Sequence, residues 1–186
     1  WARLRDGPLN PDERPHLERF AAALPRKGEV LDLGCGSGRP IADWLIRQGF
    51  QLTGVDASPG MIARCRTAFP GHEWRVADMR GLNLGRRFDG VLAWFSAFHL
   101  TAEAQAAMAA VYPRHLRPGG SLIFVGGSRR GVAMGTWMGQ PLYHASQDPS
   151  EYRAGLEQAG LIDIEERDLG ADGAARVWTG RRGMSD

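Results

Sequence analysis

The feature that most constrains the fold is a glycine-rich turn that follows a short apolar run. Residues 29–33 have the composition of a β-strand, and Gly34-Cys35-Gly36-Ser37-Gly38 leads from them into a helix-like segment. Glycine lets a backbone approach a ligand closely, and the first N–H groups of a helix point outward without partners. A strand, a glycine turn and a helix in this order predict a binding site at the end of the strand.

Short β-like runs alternate with helix-like segments along most of the chain. This alternation is typical of βαβ units, which form a parallel sheet with helices on both faces. Two runs near the C terminus, separated by Gly170-Ala171-Asp172-Gly173, instead predict an antiparallel hairpin. We therefore expect an α/β fold: a Rossmann-like, doubly wound, mostly parallel seven-stranded sheet with a C-terminal antiparallel hairpin and helices on both faces. The predicted strands are residues 29–33, 51–55, 73–77, 88–94, 121–126, 161–169 and 174–181.

Composition and charge exclude several classes of protein. A chain of 186 residues with 43% apolar residues can build a core without disulfides or a metal. Its 23 basic and 21 acidic side chains are too balanced for a surface that neutralises nucleic acid. No apolar run approaches the roughly 20 residues that cross a bilayer, and no secretory signal follows Trp1. The spacing of Cys35 and Cys65 matches neither a zinc site nor a redox pair. We expect a cytoplasmic protein with no membrane, nucleic-acid or metal partner.

The residues around the glycine turn distinguish between two kinds of ligand. In a dinucleotide-binding fingerprint the glycines follow the pattern G-x-G-x-x-G, whereas here the third glycine, Gly38, comes one residue early. Asp32 lies two residues before Gly34, where a carboxylate would repel a pyrophosphate and attract a cation. The pattern therefore disfavours a nicotinamide oxidoreductase and favours a positively charged ligand.

Five motifs in a consistent order and spacing resemble those of one enzyme family. They are Val30-Leu31-Asp32-Leu33-Gly34-Cys35-Gly36-Ser37-Gly38, Gly54-Val55-Asp56-Ala57-Ser58, Ala77-Asp78-Met79, Phe88-Asp89-Gly90-Val91 and Leu116-Arg117-Pro118-Gly119-Gly120. Together they resemble the motifs of the class I S-adenosylmethionine-dependent methyltransferases over residues 29–126. The resemblance implies an enzyme that uses S-adenosyl-L-methionine, a cationic cofactor without phosphates, and releases S-adenosyl-L-homocysteine.

The resemblance also implies roles for individual carboxylates. Asp56, 22 positions after Gly34, would accept hydrogen bonds from both ribose hydroxyls rather than serve only at the next helix N terminus. Asp78 would accept the adenine amino group, with Met79 donating a backbone N–H. Asp32 would hold the methionine ammonium, directly or through water, or else have a structural role at the turn.

Two further residues near the turn have open alternatives. Met61 would pack on the adenine face or in the core, and Cys35 is expected to be a small filler residue rather than a nucleophile. The full set of expected cofactor-binding residues is Asp32, Gly34, Cys35, Gly36, Gly38, Asp56, Ala57, Met61, Asp78, Met79 and Trp94.

An aromatic cluster after the fourth strand, Trp94-Phe95-Ser96-Ala97-Phe98-His99-Leu100, is the first candidate for the acceptor side. A doubly wound sheet binds its ligands at this edge. We expect Phe95 and Phe98 to form a wall against water. His99 is the candidate general base, since the ordinary pKa of histidine lies near about 6.5. The alternative is a structural imidazole that binds a backbone carbonyl.

The second candidate is a long glycine-punctuated segment, residues 127–147, which is predicted to be a loop. Loops of this length are uncommon in a compact domain unless they cover or bind a ligand. Trp137, Tyr143 and His144 would cover the acceptor, and the alternative is a dimer interface. The pair Arg129-Arg130 is expected to be solvated, with contact to an anionic substrate as the alternative.

One domain is therefore expected, divided by role. Its parts are a helical segment over the cofactor site (1–28), a cofactor-binding core (29–126), a substrate loop (127–147) and a C-terminal helix with a β-hairpin (148–186), which together make up residues 1–186.

The motifs that the chain lacks narrow the choice of acceptor. Methyltransferases of exocyclic base amines or glutamine have an Asn/Asp-Pro-Pro-aromatic motif after strand four, where this chain has Ala93-Trp94-Phe95-Ser96. We therefore expect methyl transfer to a small molecule by direct in-line displacement, in a monomer or homodimer. The alternative is a sensor or scaffold module that binds S-adenosylmethionine without turnover.

Overall fold

A computed structural model describes residues 7–137, 139–171 and 173–184. The helices in this part of the chain are α1 (Arg14–Ala22), α2 (Ile41–Arg47), α3 (Pro59–Ala68), α4 (Ala102–Arg114) and α5 (Pro149–Gln158), with a short 3-10 turn at Ala97–His99. The strands are β1 (Glu29–Leu33), β2 (Gln51–Asp56), β3 (Glu73–Val76), β4 (Phe88–Ala93), β5 (Leu116–Gly127), β6 (Gly131–Trp137), β7 (Gln140–Ser146), β8 (Leu161–Leu169) and β9 (Ala175–Arg182).

Seven of these strands form one sheet in the order β3-β2-β1-β4-β5-β9-β8. β1 pairs in parallel with β2 and β4, and β4 pairs in parallel with β5. β9 runs antiparallel to both β5 and β8. This confirms the predicted doubly wound sheet with an antiparallel hairpin at one edge. The strand order reverses between β1 and β4, and a sheet of this kind binds ligands beyond the carboxyl ends of its strands at that point.

Hydrophobic clusters on both faces hold the central strands in place. Successive side chains of a strand point to opposite faces, so Val30 joins the cluster that contains Phe20 of α1. Its neighbour Leu31 joins the other cluster, which contains Met108 of α4. Full burial of a side chain of this kind stabilises the fold by about 1.5–3 kcal/mol. Because β1 is packed from both sides, the position of its carboxyl end, and of the glycine turn after it, is fixed.

The N-terminal helix lies over the sheet, but away from the crevice between β1 and β4. Phe20 and Leu24 pack close to β4 at Gly90, where an added Cβ would lie 2.7 Å from a ring carbon of Phe20. Among the described residues before β1, none lines the crevice. Residues 7–28 pack where β4 carries glycine, near the start of that strand, and the expected cover over the cofactor site stays a prediction. Residues 1–6 lie outside the described part.

The segment predicted as a loop, residues 127–147, instead forms an antiparallel ribbon of β6 and β7. Gly139 in its tight turn has a φ of 76°, which residues with a side chain rarely adopt. The side-chain amide of Gln105 in α4 donates hydrogen bonds to the carbonyls of Ala145, at 2.7 Å, and Leu100, at 2.9 Å. These bonds attach the ribbon to the segment that follows β4.

None of the helices in the described ranges combines the length and apolar character that a membrane span requires.

Candidate active site

A cavity of about 440 Å³ opens at the carboxyl ends of β1, β2 and β4, where the strand order reverses. It brings together residues from the glycine turn, from the segments that follow three of the strands, and from β7. The lining residues are Gly34, Gly36, Asp56, Ala57, Ser58, Met61, Asp78, Met79, Arg80, Phe95, Ser96, His99, Leu100 and Leu142. Nine of them are among the residues expected from the sequence to bind the cofactor, the acceptor or a proton.

The glycine turn forms one wall, and its backbone requires glycine. Gly34, Gly36 and Gly38 have φ values of 76°, 54° and 79°, in the left-handed region that side chains disfavour. A Cβ at Gly36 would have no atom within 4 Å, so the backbone there is open to a ligand. At Gly34 a Cβ would lie 2.3 Å from Cβ of Ser96, whose hydroxyl donates a hydrogen bond to the carbonyl of Leu33 at 2.6 Å. The end of β1 is thus locked to the segment after β4.

Asp56 ends β2 and holds the glycine turn through backbone contacts. Its Oδ2 accepts a hydrogen bond from the N–H of Gly36 at 2.9 Å, and its Oδ1 accepts one from the N–H of Ser58 at 2.8 Å. Each carboxylate oxygen has a further lone pair that can accept a bond from a ligand hydroxyl. The position of Asp56 in the cavity wall is compatible with the expected ribose contact.

Asp32 lies in β1 behind the cavity wall and is only 3% exposed. Burial, and to a smaller extent the neighbouring carboxylate of Asp56, raise the pKa of Asp32 to about 7. Both effects disfavour the ionised form, and a nearby cation would restore it. Two carboxylates this close to a glycine turn suit a positively charged ligand and disfavour a pyrophosphate.

The third carboxylate of the cavity is already engaged by a neighbouring arginine. The Arg80 guanidinium donates to Asp78 at 2.8 Å and its backbone N–H donates at 2.9 Å. These bonds lower the pKa of Asp78, so the carboxylate stays ionised. Met79 and Met61 also line the cavity, and their contact with an adenine ring stays a prediction. The contact of Asp78 with the adenine amino group remains a prediction.

Besides Asp32, three of the expected cofactor residues are not in the cavity wall. Trp94 is 5% exposed and packs in the hydrophobic cluster that contains Leu92, because alternate side chains near the end of β4 point to the same face. Gly38 and Cys35 lie within the turn but are turned away from the cavity. Contact with Cys65 and burial raise the pKa of the Cys35 thiol, which disfavours a nucleophilic role. The sequence gives no indication of the contact between Cys35 and Cys65, because the two residues are far apart in the chain and only the fold brings them together.

His99 follows β4 and lines the same cavity as Asp56. Its Nδ1 lies 3.2 Å from the carbonyl oxygen of Tyr143. A carbonyl oxygen only accepts hydrogen bonds, so Nδ1 carries the proton and Nε2 of the neutral ring is left as a proton acceptor. The imidazole therefore binds a backbone carbonyl, as in the structural alternative, and keeps the nitrogen that a general base needs.

The aromatic side chains of the acceptor side form a connected cluster. The ring of Phe98 lies 4.5 Å from that of His99 and 4.9 Å from that of His144, measured between centroids. Phe95 lines the cavity with a φ of 48°, a conformation that costs about 1–3 kcal/mol in a residue with a side chain. Phe98 and His144 support His99 from outside the cavity wall. Tyr143 contributes its carbonyl, and the side chain of Trp137 lies outside the described residues.

Five lining residues were not expected from the sequence. They are Ser58, Arg80, Ser96, Leu100 and Leu142. Ser58, Ser96 and Leu100 lie in motifs that the sequence already singled out, and Arg80 follows the Ala77-Asp78-Met79 motif by one residue. Leu142 has no local signal, because it reaches the cavity only through the β6–β7 ribbon.

Comparisons with known proteins agree with this geometry. A family model for a methyltransferase domain matches residues 30–120, a range that contains the glycine turn, all three carboxylates and His99. One similar protein is the dTDP-3-amino-3,4,6-trideoxy-alpha-D-glucopyranose N,N-dimethyltransferase of Streptomyces venezuelae, 31% identical over 101 residues, which are 53% of this chain and 42% of that protein. Another is the S-adenosyl-L-methionine-dependent Diels-Alderase iccD of Talaromyces variabilis, 29% identical over 171 residues, 79% of this chain and 57% of that protein. The chain thus spans less than two thirds of either relative.

Among solved structures, the fold resembles that of S-adenosylmethionine-bound CalS10, an amino pentose methyltransferase of calicheamicin biosynthesis from Micromonospora echinaspora. The TM-score is 0.72 at 22% sequence identity, over 91% of this chain and 89% of that one. This likeness shows the fold, and the matched methyltransferase domain contains the motifs and carboxylates that line the cavity. Residues 30–120 of the chain are similar to the family model of a methyltransferase domain, and the chain has the fold of the S-adenosylmethionine-bound CalS10 structure.

Proposed function

We propose that this chain transfers the methyl group of S-adenosylmethionine to a small-molecule acceptor by direct in-line displacement. One observation carries the proposal: the carboxylate of Asp56, which holds the glycine turn, and the imidazole of His99 line a single cavity. A site of this kind can hold a cationic methyl donor and remove a proton from the group that accepts the methyl.

The residues at the glycine turn are suited to the cofactor. Asp56 accepts the ribose hydroxyls, and Asp32 supplies the negative charge that stabilises the methionine ammonium. Gly36 leaves the backbone open where the cofactor approaches, and Met61 packs against the adenine. The bound cofactor supplies a methyl group made electrophilic by the sulfonium. Positive charge disperses during the transfer, so orientation and exclusion of water are the main contributions of the protein.

His99 acts as the general base when the acceptor is not already ionised. Its Nε2 takes the proton from the acceptor, while Nδ1–H stays bound to the carbonyl of Tyr143 and fixes the plane of the ring. Phe95, Leu100 and Leu142 add apolar walls on the same side of the cavity. An acceptor bound against these walls displaces water from the reacting groups, and no covalent intermediate with the protein is needed.

The alternative function, a sensor or scaffold that binds the cofactor without turnover, is not favoured. Its motivation in the sequence was the lack of an unambiguous base, and His99 fits that role by its position and tautomer. The relative named as a Diels-Alderase makes a second activity on the same fold worth testing. Methyl transfer and a second activity of this kind are distinguished by whether the methyl group leaves the cofactor.

Calorimetry with S-adenosylmethionine and S-adenosylhomocysteine tests the cofactor, and transfer of labelled methyl to a panel of amine, hydroxyl and carboxylate acceptors tests the reaction. Asp56→Ala is expected to weaken cofactor binding by about 1–3 kcal/mol, the effect of losing hydrogen bonds to a charged acceptor. Asp12→Ala, at an exposed site before α1, is the matched control and should bind normally. Absence of binding to either ligand, or binding without any methylated product across the panel, would contradict the proposal.

A further inference from the structure

A second cleft, with a volume of about 530 Å³, opens next to the acceptor side of the cavity. It lies between the end of β5, the β6–β7 ribbon and the turn before β9. Ser128 and Arg129 form one side, His144 belongs to the ribbon, and Ala174 closes the far end. No glutamate or aspartate of the described residues lines this cleft.

The two arginines at the cleft differ in how they are held. The guanidinium of Arg130 pairs with Glu151, with Nε at 3.1 Å from the carboxylate, and its backbone N–H donates to Asp148 at 3.0 Å. Its charge is therefore compensated. The side chain of Arg129 is exposed and makes no hydrogen bond or ion pair with any residue in the described ranges. Arg129 therefore supplies an uncompensated positive charge to a cleft without carboxylates.

The ribbon connects this cleft to the methyl-transfer cavity. Alternate residues of β7 point to the same face, and on that face Leu142 lines the cavity whereas His144 lines the cleft. The ring of His144 lies 5.1 Å from that of His99, between centroids. A strand rises about 3.3 Å per residue, so Leu142 at one site and His144 at the other are separated by about 7 Å along one strand face. One small molecule can reach both.

We propose that this cleft is a subsite for an anionic group of the methyl acceptor, a phosphate or a carboxylate, with Arg129 as its counter-ion. The inference rests on the proposed function, because it places the reacting end of the same molecule beside His99. The anionic group lies about 7 Å along the strand from the reacting end of the molecule. Arginine suits this role because its planar guanidinium binds phosphate or carboxylate through two parallel hydrogen bonds. Ser128 supplies a hydroxyl donor on the same side of the cleft.

Binding of simple anions tests the subsite without an acceptor. Inorganic pyrophosphate and citrate are titrated into the wild-type protein, Arg129→Gln and Arg26→Gln, with a parallel titration of S-adenosylhomocysteine. Arg26 is an exposed arginine before the amino end of β1, whereas the cleft lies at the carboxyl end of β5, and Arg26 serves as the matched control. Arg129→Gln should weaken anion binding about tenfold or more, as expected for loss of charge-assisted hydrogen bonds. Arg26→Gln should bind as the wild type does.

The possible outcomes separate the inference from the proposed function. Binding of pyrophosphate alone assigns a phosphate to the subsite, and binding of citrate alone assigns a carboxylate. Either of these two results supports the inferred subsite. Equal anion affinity in the wild type and Arg129→Gln, an equal loss in Arg26→Gln, or no anion binding at all would overturn it. Normal binding of S-adenosylhomocysteine in the same samples leaves the proposed function intact, and its failure strikes the proposed function instead. Arg129 has no partner in the described structure, so a normal melting temperature for the variant is expected.

Discussion

At the cofactor end of the cavity, backbone N–H groups and carboxylates define the chemistry, whereas at the acceptor end rings from two distant segments meet. Gly36 and Asp56 are joined by a direct hydrogen bond, and both lie in or next to strands of the main sheet. His99 is instead held by a carbonyl of β7, 44 residues away along the chain. The first end depends on local backbone geometry, and the second on long-range contacts that the β6–β7 ribbon provides.

The two ends of the cavity therefore account for different kinds of specificity, one for the cofactor and one for the acceptor. A cofactor of constant shape suits a wall made of backbone and fixed charges. An acceptor that varies between enzymes suits side chains on a ribbon that is separate from the sheet. If the two ends act separately, substitutions at the cofactor end change cofactor affinity alone. Substitutions at the acceptor end then change turnover or acceptor affinity alone.

The largest effect is expected for His99→Gln. Loss of the general base should lower kcat by about a hundredfold or more, while affinity for S-adenosylhomocysteine stays at the wild-type value. Single-turnover transfer of labelled methyl and calorimetry measure the two quantities. His16→Gln, on α1 outside the cavity, is the control. Full activity of His99→Gln at neutral pH would show that His99 is not the general base.

At the cofactor end, Asp32→Asn should raise the stability of the protein at alkaline pH and lower its affinity for the cofactor. The pKa of Asp32 is raised to about 7, so the folded protein carries a proton there that the unfolded chain has lost. Asp32 therefore contributes stability at acidic pH that is lost as pH rises through about 7. The amide should raise the melting temperature at alkaline pH and weaken cofactor binding by about 1–3 kcal/mol.

The same carboxylate predicts how cofactor binding depends on pH. A cationic ligand favours the ionised form of Asp32, so affinity of the wild type should rise with pH through about 7 and then level off. Calorimetry across this range measures the curve, and Asp32→Asn should flatten it. A wild-type affinity independent of pH would show that this carboxylate does not face the ammonium.

A smaller effect is expected for Leu142→Ala, which tests whether the ribbon reaches the reaction. Leu142 is half-buried and lines the cavity, so its truncation should raise the KM for the acceptor by several-fold, about 1 kcal/mol. The affinity for the cofactor should change less. Met134→Ala, at a 63% exposed site of the same ribbon, is the control. If both variants behave alike, β7 has no specific contact with the acceptor.

The smallest effect lies outside both ends, at the fully buried His115. Its Nδ1–H donates to the carbonyl of Val111 at 2.9 Å, and its Nε2 accepts from the N–H of Leu84 at 3.1 Å. Burial lowers the pKa of His115, so the unfolded chain takes up a proton before the folded protein does. The free energy of unfolding should therefore fall as pH drops below about 6.5.

Urea unfolding at about pH 7.5 and pH 5.5 measures this contribution. Asp32 acts in the opposite direction over the same range, so the informative quantity is the difference in pH response between the wild type and His115→Gln. The variant should lose less stability on acidification and should bind the cofactor normally. Identical pH responses would assign the acid sensitivity to other groups.

The cofactor end could be predicted from the sequence because its determinants are local. The positive φ values of the glycine turn, the strand before it and the carboxylate at the end of β2 are all encoded in short motifs. The acceptor end could be predicted only in part. The sequence identifies the aromatic residues after β4, but it predicts a loop where the structure has the β6–β7 ribbon, because glycines punctuate this segment.

The remaining differences come from contacts between residues far apart in the chain. The separation of Arg129 from Arg130 depends on Glu151, and no short-range pattern predicts that Glu151 pairs with one of them. Trp94 illustrates the opposite problem: its place in an aromatic motif suggested a ligand contact, but the alternation of β4 directs it into the core. The sequence predicts that the fourth strand ends at Trp94, whereas the observed β4 ends at Ala93. A difference of one residue at a strand end is common, and it changes how the last side chain is interpreted.

The β6–β7 ribbon forms its own two-stranded sheet, with no backbone pairing to the seven-stranded sheet in the described part of the chain. Insertions or exchanges in this ribbon therefore leave the hydrogen-bond ladders of the main sheet intact. We therefore expect new ribbon sequences that keep the contact between Gln105 and Ala145 to preserve the main sheet and to change which acceptor binds. Laboratory recombination of ribbons between relatives is a direct way to test this expectation.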